Sequence, residues 1–110
     1  MFQVTFYETE GGNEVVQDFL RKLPKDDRKT IGEDLATLQY GYPLGMPLCK
    51  MLRSQIWELR SSLPSKREAR LLYFFDSASQ QIIVVHAFIK TTRTTPKSDI
   101  DLAEKRKKEF

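Results

Sequence analysis

Apolar positions along the chain follow two different periods, and the change from one to the other divides it. Residues 2–7 (FQVTFY) alternate and are rich in β-branched and aromatic side chains, which predicts a first strand. Glu8–Gly12 reads as a turn, and Asn13 is placed to cap a helix. Val15, Val16, Phe19, Leu20 and Leu23 then recur at helical spacing. Pro24 ends that helix and can open the next, because a first helical turn needs no N–H there. Ile31, Leu35 and Leu38 form the second stripe, with Gly41 as a left-handed closing residue and Pro43 blocking continuation. The short connection predicts an antiparallel helical hairpin.

After a Gly- and Pro-rich loop at 42–47 the period becomes two. Leu48, Lys50 and Leu52 alternate with Cys49 and Met51; residues 53–55 suit a turn. In IWELRS (56–61), Trp57 and Leu59 share one face, Glu58 and Arg60 the other. Residues 62–66 contain Pro64 and read as a flexible loop. Strands are predicted over 68–75 and 81–89, joined by 76–80. Thr95-Pro96 suits a helix start, with Ile100, Ala103 and Phe110 as a weak apolar face. The expected fold is α+β: an antiparallel sheet of about four to five strands, an N-terminal helical hairpin on one face and a C-terminal helix. The helical stripes must bury against the sheet, leaving its other face open.

Composition narrows this picture. The chain of 110 residues, 40% hydrophobic and 30% charged, suits one globular domain spanning 1–110. No apolar run is long enough to span a bilayer, and no secretory leader is evident, so a cytoplasmic location is expected. Cys49 has no partner for an internal disulfide and reads as a small strand residue. The net charge of +3 hides a split. Residues 1–49 carry 5 Lys/Arg against 8 Asp/Glu, and residues 50–110 carry 13 against 7. The second part is basic enough to meet a polyanion, or to be a solvated surface with no partner.

Alternation sorts the polar residues of the sheet. Glu58 and Arg60 share a face, as do Glu68 and Arg70. In the last strand His86, Phe88 and Lys90 share one face, and Val85, Ala87 and Ile89 the other. If the polar sets all lie on the open side, Arg60, Arg70, His86 and Lys90 converge. Two guanidiniums, an ammonium and an imidazole suit a phosphodiester whose cleavage uses the RNA's own 2′-OH. One His and one Cys leave zinc without a ligand set, and no Gly-rich phosphate loop is present, so neither metal nor cofactor is expected. The plainer alternative pairs Arg60 and Arg70 with Glu58 and Glu68 as surface ion pairs of small value, and makes His86 a hydrogen-bonded structural residue. Lys105–Lys108 can touch phosphate or be a solvated helix tail.

IWELR (56–60), ARLLYFF (69–75) and VVHAFIKTTRTTPKSDIDLAEKR (84–106) together resemble the phage-derived branch of the RelE/HigB toxin family. The resemblance implies a compact RelE-like α+β fold. It also implies ribosome-dependent cleavage of messenger RNA without a cofactor, and neutralisation by a helix-turn-helix antitoxin. The family's basic positions fall on Arg60, Arg70 and Lys90, with Tyr73 and His86 at its aromatic and imidazole places. Lys66, Arg67, Arg93 and Tyr73 are the expected RNA contacts. Lys90 is followed by Thr91, where the family often has a second lysine; Arg93 can supply that charge. Arg70→Ala is expected to abolish activity and keep the fold. Two other readings stay open: a gyrase-poisoning toxin resembling ParE, and a non-catalytic RNA- or protein-binding domain.

Overall fold

The computed structural model describes residues 1–110. Its elements are β1 (Gln3–Phe6), α1 (Val15–Arg21), α2 (Lys25–Gly41), β2 (Cys49–Arg53), β3 (Ile56–Ser62), β4 (Glu68–Asp76), β5 (Gln81–Ile89) and α3 (Lys97–Glu109). The five strands form one sheet in the order β1-β5-β4-β3-β2. The expectation of an antiparallel sheet is corrected. β2 to β5 pair antiparallel, but β1 lies parallel to β5, with Gln3 opposite Gln81 and Phe6 opposite Val84. The sheet is therefore mixed. The Thr5 hydroxyl bonds the Gln81 side chain across this edge.

The helical hairpin is likewise overturned. α1 lies against β5, whereas α2 lies against β3 and β1. Each helix spends its apolar stripe on the sheet rather than on its neighbour. Seven residues are too few for a helix stable in water by itself, so α1 depends on that packing. Val16, Ile31, Leu35 and Leu38 meet Leu59, Leu71, Tyr73, Ile82 and Val84 in the larger core. Burying each such side chain contributes about 1.5–3 kcal/mol. Two terminus details also differ from expectation. Glu14, not Asn13, occupies the first cap, without a side-chain cap bond. Gly41 is the last helical residue of α2, and a Cβ there would meet Leu44 Cδ2 at 3.0 Å.

The face expected to stand open is partly covered. Tyr7, Ile56, Leu72, Phe74, Ile83, Val85 and Ala103 form a second core beneath α3. A bulge brings Val85 there. The β4–β5 register slips between Leu72 and Tyr73, which face His86 and Val84, so Val85 is the additional residue. Simple alternation placed it on the opposite face. α3 has few apolar residues, and polar contacts fasten it. Arg106 Nη1 donates to the Val85 carbonyl at 2.8 Å, and Lys107 Nζ to that of Ser54 at 2.8 Å. Hydrogen bonds from Arg53 and Ser54 outweigh desolvation and hold the Glu104 carboxyl at about 2. Two of the four cations of Lys105–Lys108 thus serve the fold.

Candidate functional site

Beyond the end of α3 the same face turns polar. The β3–β4 register sets Arg60 opposite Arg70, and Phe88 of β5 flanks Arg70 on its other side. Lys90 follows β5 and stays beside β4, because its N–H donates to the Glu68 carbonyl at 2.8 Å. Alternation in β3 and β4 therefore delivers Glu58, Arg60, Glu68 and Arg70 to one face, as the sequence indicates.

Those side chains form a chain of alternating charge across three strands. Arg70 Nε lies 2.7 Å from Glu58 Oε1, and its Nη1 lies 2.6 Å from Glu68 Oε1. Glu68 Oε2 reaches Lys90 Nζ at 3.4 Å. Glu58 Oε1 also accepts from the Thr95 hydroxyl at 2.8 Å, and Arg60 Nε approaches Glu58 Oε2 at 3.9 Å. Arg60 Nε is buried without a hydrogen-bond partner. The Arg70–Glu58 pair is not a surface pair, whereas Glu68, Lys90 and Arg60 are part-exposed. Arg70 is 4% exposed and Glu58 1%. Burial alone would raise the Glu68 carboxyl, but Arg70 and Lys90 outweigh it and hold that group below the usual carboxylate range.

Three recesses adjoin this cluster. A groove of about 710 Å³ is lined by Lys66, Arg67, Glu68, Lys90 and Arg93, together with Ser62, Leu63, Thr91 and Thr92. A recess of about 470 Å³ shares Ser62 and Glu68 with it, and adds Arg60, Thr30 and Asp34. A tighter one of about 160 Å³ holds Glu58, Arg60, Arg70, Lys50, Arg93 and Thr95 among its walls. Four cations against one carboxylate give the largest of the three a positively charged lining.

The β3–β4 loop, expected to be flexible, is pinned to α2. Asp27, buried in the first turn of that helix, accepts from the Ser65 N–H at 3.1 Å and from Arg67 Nη2 at 3.5 Å. Hydrogen bonds from Ser65 and Arg67 outweigh desolvation and lower the Asp27 carboxyl. Lys66 takes φ 69° at the loop tip. This arrangement fixes Lys66 and Arg67 beside Lys90.

Two expected site residues stand apart. Tyr73, 1% exposed, lies on the helical side of the sheet within the larger core, so its ring has no surface for a base. Burial and the neighbouring Cys49 raise its phenol further. His86 lies near α3, its Nε2 2.7 Å from Asp99 Oδ1 and its ring stacked on Phe88 at 5.3 Å. It lines none of the three recesses. The hydrogen-bonded structural reading of His86 fits this geometry. Conversely, Glu58 and Glu68, first considered only as ion-pair partners, tie the cations together. Lys50, read from the sequence only as part of an alternating strand, and Thr95, read only as a helix start, also reach the cluster, Lys50 because the β2–β3 register sets it opposite Glu58.

Desolvation lowers the His86 pKa and Asp99 only partly restores it; Arg106 lowers it further. Near pH 6 the unfolded chain therefore binds more protons at this ring than the folded one, and stability rises with pH there. The His86 contribution is expected to be complete above about pH 6.5 and to fade as pH drops through the folded value. Melting temperature should fall from pH 7 to 5.5, and His86→Gln, which removes the only histidine, should flatten that interval. An unchanged slope in the variant would assign the loss to other groups.

The fold and the site define a class: a small α+β protein that sets a basic groove beside a buried arginine–carboxylate cluster. A family model described as "Phage derived protein Gp49-like (DUF891)" matches residues 18–108. The chain belongs to that family, which lies within the RelE/ParE-like toxin superfamily and is associated with toxin–antitoxin toxins. No curated protein matches the chain. No helix is long and apolar enough to cross a membrane.

Proposed function

We propose that residues 1–110 form a single toxin domain of a toxin–antitoxin pair, an endoribonuclease that cuts messenger RNA on the ribosome without a metal. A HigB-type toxin, acting in the cytoplasm and silenced by a helix-turn-helix antitoxin, is the specific form of this reading. The observation that supports it most is the linkage of Arg70 to Lys90 through Glu68, with Arg60 opposite Arg70, beside a groove that Lys90 lines together with Lys66, Arg67 and Arg93.

A phosphate at this point meets Arg70 and Lys90, which stabilise the charge that grows on its oxygens, while Arg60 holds it in register. Lys66, Arg67 and Arg93 take the neighbouring phosphates. The 2′-oxygen attacks phosphorus and the bond to the 5′-oxygen breaks, leaving a 2′,3′-cyclic phosphate and a 5′-hydroxyl. The 2′-OH proton passes to Glu58, whose Oε2 makes no hydrogen bond and faces only Arg60 at 3.9 Å. The leaving oxygen takes its proton from solvent in the open groove. Glu58 replaces His86 in this scheme because it touches Arg70, whereas the imidazole is held by Asp99.

The test is induced expression in cells without the antitoxin, with radiolabelled precursors. Amino-acid incorporation is expected to fail first, within minutes and with DNA intact. DNA breakage with translation continuing would replace this reading with gyrase poisoning.

A further inference from the structure

Glu68 has no part in the scheme above, yet it occupies the centre of the cluster. It gives one oxygen to Arg70 Nη1 at 2.6 Å and the other to Lys90 Nζ at 3.4 Å. Two oxygens of one anion divided between a guanidinium and an ammonium is also how a phosphate would be held. The side chain is a third exposed, and it lines both the 710 Å³ groove and the 470 Å³ recess. Ser62 and Glu68 are the two residues that the groove and the recess share.

We propose that Glu68 is a built-in substitute for the scissile phosphate, occupying the Arg70–Lys90 seat until an RNA strand displaces it. This rests on the RNA-cleaving reading and adds a selectivity device to it. Without the carboxylate, Arg60, Arg70 and Lys90 would repel one another across adjacent strands, with Glu58 the one carboxylate left within 4.0 Å of any of them. With it, the cations stay aligned and the seat is closed to a lone phosphate, because a tethered carboxylate is always present at high effective concentration. A strand overcomes that competition through its neighbouring phosphates, held by Lys66, Arg67 and Arg93. The preferred ligand is therefore a single strand with phosphates on both sides of the seat, rather than a nucleotide or a short end. Displacement needs only a side-chain rotation, since Glu68 is part-exposed and Arg70 keeps Glu58.

The experiment measures binding of a 2′-O-methyl RNA oligonucleotide, which cannot be cut, by fluorescence anisotropy across a salt series. Glu68→Gln keeps the volume and an acceptor for Arg70 but removes the competing charge. It is expected to bind about fivefold tighter than wild type, the size of one partly screened charge contact. Its log–log salt slope should steepen by about 0.7, one more net phosphate contact on a single strand. Glu10→Gln, an exposed turn residue outside all three recesses, makes the same change in net charge and should bind as wild type does. If wild type binds and Glu68→Gln binds equally or more weakly, the substitute role is overturned while the RNA reading stands. An equal gain in Glu10→Gln would reduce the effect to bulk charge and overturn it too. Failure of all three proteins to bind at low salt would overturn both readings together.

Discussion

Arg70→Ala is expected to lower the free energy of unfolding by about 3–5 kcal/mol, as removal of one partner from a buried ion pair does. The substitution leaves Glu58, 1% exposed, without its closest cation. Thr95 and a distant Arg60 remain, and neither replaces a guanidinium at 2.7 Å. The sequence alone suggested that this variant would keep its fold and isolate the chemistry. The burial of Arg70 makes it the wrong probe, because a small protein that loses this much can unfold and look inactive for that reason. A double variant, Arg70→Met with Glu58→Leu, removes both charges and should recover most of the loss. Denaturant unfolding of wild type, Arg70→Ala and the double variant decides the matter. A loss under about 1 kcal/mol for Arg70→Ala would place the pair in the ordinary range of exposed ion pairs.

Lys90→Ala is the cleaner test of catalysis. Lys90 lies at the groove edge, and its ammonium meets only Glu68 at 3.4 Å. Stability should change by no more than about 0.5 kcal/mol. The rate of single-turnover cleavage on ribosome-bound messenger RNA should fall by about 10²–10³, the scale for removing one donor that meets developing charge. Lys90→Arg should retain part of the rate, since it keeps the charge but alters its reach. Full activity in Lys90→Ala would remove the ammonium from the reaction, and Thr91 in place of a second family lysine would then need no compensation from Arg93.

What could be read in advance follows the range of the interactions concerned. The order of elements and the shared face of Glu58, Arg60, Glu68 and Arg70 depend on the two-residue period of a strand, which is local. Pairing of Arg60 and Arg70 with glutamates was also legible, since four charged residues on two adjacent strands have few other partners. Long-range facts were not. Nothing near Gln3 announces that it will lie parallel to Gln81, and that placement turns the sheet from antiparallel to mixed. The helical hairpin failed for a related reason: a short connection limits how far apart two helices lie, but not whether they pack on each other or on a sheet. The bulge at Val85 broke alternation within a run of apolar residues, where each neighbour looks equally suited to a core. α3 was expected as a helix, but its cover over the face was hidden, because Arg53, Ser54 and Glu104 rather than an apolar stripe fasten it. That cover is why His86 is occupied by Asp99.

The chemistry of the fragment ends tests the central claim most directly. Translating ribosomes would be incubated with the purified protein in the presence of a chelator that leaves them assembled, and the new RNA termini analysed. Attack by the 2′-oxygen on a phosphate seated between Arg70 and Lys90 leaves a 2′,3′-cyclic phosphate on the upstream fragment and a 5′-hydroxyl downstream, with no cut where that sugar is 2′-deoxy. Upstream fragments ending in a free 3′-hydroxyl, or equal cutting at a 2′-deoxy position, would contradict the account.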